Sequence, residues 1–147
     1  MRELTALLKK EISPALGVTE VGAIALASAR AAAAAEGNIR KIHVEMNGGM
    51  YKNAFSCAIP GTKELGCEMA ALLGAVCGDW TLGLECLKPV TEADADRVKG
   101  MGIDVTTAVD KSKEEIYILA EVETDKGTGK ALIEAKHSNI TKVWKDG

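Results

Sequence analysis

The chain has 147 residues, 47% of them hydrophobic, with 18 Lys and Arg against 21 Asp and Glu for a formal net charge of −3. That is the size of one domain, 1–147, with ample apolar material for a core. The acidic balance and the 3% aromatic content exclude a basic or base-stacking nucleic-acid surface. The core has to be built from Ala, Val, Ile and Leu. The longest apolar stretch, 21–35, carries Arg30 and is too short to span a bilayer. The opening MRELTALLKKEI mixes acids and bases and lacks the apolar run and cleavage site of a signal peptide, so a cytoplasmic location is expected. Of the four cysteines, Cys57, Cys67, Cys77 and Cys86, three fall in helix-like segments, and all four are expected as reduced thiols.

Leu4, Leu7, Leu8 and Ile12 share a helical face, which predicts a helix over 2–12 that Pro14 ends. Thr19 is placed to cap a second helix over 20–36, stopped by Gly37. Its alanine run, 31–35, combines high helix propensity with little bulk, so another element can approach closely. Residues 40–46 alternate, with Ile42, Val44 and Met46 on one face and Lys41, His43 and Glu45 on the other, as in a half-buried strand. Asn47-Gly48-Gly49 reads as a turn and 50–59 as a return strand ended by Pro60-Gly61. A helix over 64–77 puts Leu65, Met69, Leu72, Leu73 and Val76 on one face, and Gly78 closes it. A short helix over 82–87 follows, then a helix over 92–99 capped by Thr91, with Thr-x-x-Asp spacing to Asp94. Strands are expected over 103–109, 116–122, 130–136 and 140–144, with a turn at Asp125-Lys126-Gly127. The sum is an α+β fold: a two-layer domain, a mostly antiparallel sheet with helices packed on one face. Strand order is not legible.

Three segments hold side chains suited to a small ligand. Gly17 frees a loop, and Thr19 offers a hydroxyl at a helix start whose N–H groups favour a carboxylate; an ordinary N-cap accounts for the same residues. Lys52 beside Asn53 joins an ammonium to a donor–acceptor amide, which suits a small zwitterion; a surface lysine is the plainer reading. His137, close to Asn139 at a strand end, can serve as a base or orient one; a hydrogen-bonded strand-end histidine is the alternative. His43 and the acidic run 92–96 read as solvated. No CxxC pair and no Cys–His cluster has zinc spacing, so no metal site is expected in this chain.

Taken together, SPALGVTEVG (13–22), YKN (51–53), IPGT (59–62) and HSNI (137–140) carry a likeness. On them the chain resembles the N-terminal portion of the iron–sulfur L-serine dehydratase and L-cysteine desulfidase-like family, which takes in serine dehydratase alpha-chain-like and uncharacterised UPF0597-type proteins. The resemblance implies that Thr19, Glu20, Lys52, Asn53, Thr62 and Asn139 meet an amino-acid substrate and that His137 has a catalytic role. It implies a [4Fe–4S] cluster for the family enzyme but none in this chain. Where the family has GCTEP, with the cysteine a cluster ligand, this chain has Val18 and Val21 in place of the cysteine and the proline. An isopropyl group cannot bind iron. None of the four cysteines matches a family ligand position. The resemblance thus implies a substrate-positioning domain or subunit of an iron–sulfur-dependent lyase that deaminates L-serine or L-cysteine to pyruvate and ammonia, inactive alone. A second chain would then carry the cluster. The alternatives are a stand-alone non-catalytic module that binds a small amino acid or a protein, and a fragment of a longer protein; a homo-oligomer fits any of these.

Overall fold

The computed structural model describes residues 15–55, 57–59 and 62–146, so the expected helix over 2–12 lies outside the described residues. Helix α1 (Ala15–Ala35) leads into strand β1 (Ile39–Met46), short helix α2 (Gly48–Ala54), helix α3 (Cys67–Cys77), a 3-10 segment (Trp80–Glu85) and helix α4 (Glu92–Lys99). Four strands follow: β2 (Asp104–Val109), β3 (Tyr117–Thr124), β4 (Gly127–Glu134) and β5 (Ile140–Asp146). They join β1 in one sheet of order β2-β1-β3-β4-β5. Only the β1–β2 junction is parallel, and the chain between those strands makes its return through the helices. The expected α+β fold with a largely antiparallel sheet is the one observed.

Alternation in the strands sets the two faces of the sheet. Ile42, Val44 and Met46 of β1, Ile118, Ala120 and Val122 of β3, and Ala131 and Ile133 of β4 are fully buried on the inner face. The outer face carries His43, with Nδ1 2.6 Å from Thr106 Oγ1, and the Lys130–Glu121 pair at 3.2 Å. Every residue of α1 from Val21 to Ala29 is buried. Such burial all round needs a neighbour on each side. The sheet lies below α1, α3 beside it, and the 3-10 segment over it, with the Arg30 guanidinium 4.5 Å from the Trp80 ring. Ser28, buried among them, donates to the Ile24 carbonyl at 2.9 Å, as an unpaired hydroxyl there would be costly.

Small residues let these backbones touch. A Cβ on Gly129 of β4 would stand 2.1 Å from the Ala31 carbonyl oxygen of α1, and one on Gly74 of α3 would stand 2.4 Å from that of Ala25. The alanine-rich sequence of α1 is what permits this packing.

Several elements differ from the sequence reading. Residues 48–54 form α2, not a return strand, and Met50 and Ala54, four apart, are the buried pair. The turn expected at Asn47-Gly48-Gly49 is instead the entry to this helix, because the antiparallel partner of β1 is β3 and not the next segment. Thr19 lies inside α1 and caps nothing, since the helix begins at Ala15. Helix α3 begins at Cys67 because Gly66, at φ +95°, cannot be helical; Leu65 falls before it, exposed and bridged to Ala58. The short helix over 82–87 is the 3-10 segment Trp80–Glu85, kinked at Gly83. Strand β4 ends at Glu134, before the expected Lys136, as Ala135 takes φ +70°.

The cap on α4 is as expected. Asp94 N–H donates to Thr91 Oγ1 at 3.3 Å, and Thr91 N–H donates back to Asp94 Oδ2 at 3.0 Å, which holds the Asp94 carboxyl below its usual range. Thr91→Ala is expected to cost about 1 kcal/mol in chemical denaturation; an unchanged midpoint would mean that the box does not hold α4.

Candidate functional site

The turn at Ala135 brings together groups from opposite ends of the chain. Ala135 N–H donates to the Ile116 carbonyl, Lys136 N–H to that of Glu134, and Asn139 N–H to that of Lys136. This tight loop carries His137 back over α1, where its Nε2 lies 3.0 and 3.1 Å from the two carboxylate oxygens of Glu20. Their side chains are 27% and 13% exposed, so the pair is shielded yet open on one side. A carboxylate only accepts, so the Nε2 that faces it bears a proton. Ala135 is one of two non-glycine residues with positive φ among those described, a strained conformation of the kind found at working sites.

The pair opens into a cavity of about 540 Å³ lined also by Asn47, Asn53, Glu114 and Glu115, over a floor that includes Met50 and Ile116. No lysine or arginine lines it among the described residues. Three carboxylates and two amides make it a place for an ammonium group with hydrogen-bonding neighbours. A second hollow of about 590 Å³ adjoins it across Glu114, Glu115, Ile116 and Ala135, and there the Lys113 ammonium stands 4.8 Å from the Tyr117 ring.

Of the residues singled out in the sequence, Glu20, Asn53 and His137 meet in this cavity. Lys52, one position before Asn53 on α2, is exposed and does not line it. Thr19 is half-buried on α1 and also outside the lining. Thr62 is turned to its own loop, donating to the Ile59 carbonyl and accepting from Glu64 N–H, both at 3.0 Å. Asn139 lines the adjoining hollow, with Nδ2 donating to the Glu134 carbonyl at 3.0 Å. Sequence reasoning missed Asn47, Glu114 and Glu115. The first was absorbed into a turn motif, while the acidic pair sits in a polar connection with no pattern to mark it.

The thiols bear on the cluster that the resemblance implies for the family enzyme. No three Cys, His, Asp or Glu side chains gather at metal-binding spacing among the described residues. Cys57 donates to the Asn53 carbonyl at 2.6 Å and Cys86 to that of Gly22 at 3.8 Å. Burial pushes the Cys67 thiol up to about 11 and Cys86 up to about 12. Buried thiols held protonated at Cys67 and Cys86, in a chain whose described residues nowhere gather three ligands, do not fit a [4Fe–4S] cluster, which takes thiolates. Both shifts favour the fold below the usual thiol value of 9.0 and lose that contribution as pH rises towards 11 and 12, because the unfolded chain gives up its protons first. In the presence of reductant, the urea midpoint should fall between pH 9 and 11, and Cys67→Ala should flatten that fall by about 2 kcal/mol. Identical slopes in the two proteins would contradict the burial of Cys67.

No family model matches the chain. Among curated proteins, the chain is similar to the UPF0597 protein of Clostridium botulinum (strain Okra / Type B1), 47% identical over 140 residues that make up 95% of this chain and 33% of that protein. It is 36% identical over 146 residues to the UPF0597 protein of Caldanaerobacter subterraneus, covering 98% of this chain and 34% of that one. For the UPF0597 protein of Oleidesulfovibrio alaskensis the figures are 36% over 143 residues, 96% and 33%. The chain therefore spans about a third of the length of the curated relatives it matches. No helix among the described residues is long and apolar enough to cross a membrane.

Proposed function

We propose that this chain is the amino-acid-binding part of a larger lyase that deaminates L-serine or L-cysteine, and that it is inactive alone. The observation that carries the reading is the Glu20–His137 pair at 3.0 Å on the wall of a cavity with Asn53, residues that the family resemblance had singled out separately. The ammonium of a small amino acid sits among Glu20, Glu114 and Glu115. His137 Nδ1, its ring held by Glu20 at Nε2, takes the α-proton. The Cα–H electron pair becomes the Cα=Cβ bond as hydroxide or thiolate leaves Cβ, and the aminoacrylate tautomerises and hydrolyses to pyruvate and ammonia. Departure of the Cβ group falls to the part of the enzyme outside this chain, in line with a span of one third of the relatives.

The experiment is calorimetry with L-serine and L-cysteine, together with an anaerobic pyruvate assay after iron and sulfide reconstitution. Binding without turnover is expected. Robust turnover by the chain alone, or no binding of either amino acid, would sink the reading. A second reading, a non-catalytic binding or interaction module, draws on Phe55 and Leu65, 60% and 56% exposed around one hollow of about 300 Å³. Binding of amino acids by the chain, with no gain of turnover when it is combined with the unmatched two thirds of a relative, would favour it.

A further inference from the structure

The least conspicuous residue of the cavity is its best-positioned donor. Asn47 is 7% exposed, at the junction of β1 and α2. Its backbone N–H donates to the Tyr117 carbonyl, and its own carbonyl accepts from Tyr51 N–H, both at 3.1 Å. Its side-chain Oδ1 accepts from Tyr117 N–H, also at 3.1 Å. That last bond settles which way the amide points, because only the oxygen can face an N–H. The two Nδ2 protons are left with no partner among the described residues. They are not sealed in the interior either: no side-chain polar atom among the described residues is both sealed and unpaired. Nδ2 lies beside Gly49, where an added Cβ would stand 3.5 Å from it, and both residues line the cavity.

We infer that Asn47 reads the ligand: its Nδ2–H group donates to an acceptor oxygen of the bound molecule. This rests on the amino-acid-binding reading and sharpens it. No lysine or arginine among the described residues lines the cavity, so a carboxylate there has to be met by neutral donors, and the Asn47 amide is the one locked in place by the fold. The ligand class that satisfies both sides of the cavity carries an ammonium for the Glu20, Glu114 and Glu115 carboxylates and an acceptor oxygen for Asn47, as an α-amino acid does. Asn47 is a specificity-determining contact. His137 remains the base.

Two variants separate this from a purely structural asparagine. Asn47→Asp keeps the shape and the oxygen that accepts from Tyr117 N–H, while the donor becomes a repelling oxygen. Gly49→Ala keeps the Asn47 side chain itself: the added Cβ would stand 3.5 Å from Nδ2, an ordinary contact that the fold can take, and narrows the cavity beside the donor. L-serine and ethanolamine, which is L-serine without its carboxylate, are titrated by calorimetry into the wild type and both variants, and thermal unfolding is recorded for each. Asn47→Asp is expected to weaken L-serine by about tenfold or more, the size of one hydrogen bond to a charged group. Ethanolamine should bind unchanged or tighter. Gly49→Ala should show the same selective loss with no lowering of its thermal midpoint. If both variants bind L-serine as the wild type does, the inference falls and amino-acid binding stands. If Asn47→Asp loses both ligands along with thermal stability, and Gly49→Ala loses neither, Asn47 is structural and the inference falls. If the wild type binds no α-amino acid, the functional reading falls and takes this assignment with it.

Discussion

Gly129→Val should be the most damaging single change to the fold, costing about 3 kcal/mol or more and lowering the thermal midpoint by roughly ten degrees in a domain of this size. The reason is steric and lies in the backbone. The new Cβ would stand 2.1 Å from the Ala31 carbonyl oxygen and 2.6 Å from the Ala35 nitrogen, and neither can swing aside as a flexible side-chain tip would. To make room, α1 would have to lift off β4 and open the buried stripe that includes Ala31, Ala131 and Ile133. Gly129→Ala carries the same clash and should be damaging too, which distinguishes the close approach from a need for the larger side chain. Gly48→Ala is the control, as its Cβ would meet only Val109 Cγ1 at 3.8 Å. Differential scanning of the three variants checks the packing: a Gly129→Ala protein as stable as the wild type would mean that α1 and β4 do not touch there.

The second large effect is on binding. Glu20→Gln keeps the length of the side chain but gives up the charge that faces His137 and, in the proposed complex, the ligand ammonium. Affinity for L-serine is expected to fall by roughly tenfold to a hundredfold, the worth of a charge-assisted hydrogen bond in a shielded site. His137→Gln should weaken binding less, because the three carboxylates remain, yet it should abolish any turnover restored by adding the rest of the enzyme. In the wild type, nitrogen NMR of the imidazole should find the proton on Nε2. A proton on Nδ1 alone, or Glu20→Gln with unaltered affinity, would remove the pair from the mechanism.

What the sequence disclosed about the fold followed from local regularity. The alternation in 40–46 predicted β1 because one face is covered and the other is not. The Thr91–Asp94 spacing predicted the cap on α4 because that motif is complete within four residues. Residues 50–59 misled for the opposite reason. Hairpin logic takes a strand's successor for its neighbour, whereas the neighbours of β1 are β2 and β3, which lie much further along the chain. The site shows the same division. Asn53 and His137 each carried a chemical reading on its own and Glu20 came only from the family resemblance, but nothing local said that they meet. Lys52 sounded equally promising as a neighbour of Asn53, and one step round a helix takes it out of the cavity. Asn47 was hidden because its sequence context, Asn-Gly-Gly, is also what a turn requires.

Because 117 positions separate Glu20 from His137, the pair works as a clasp between helix α1 and the β4–β5 hairpin. No stretch that leaves out either one can hold it. Proper assembly of everything in between is therefore written into the clasp, and a copy cut short at either side loses the pair before it has lost most of its core.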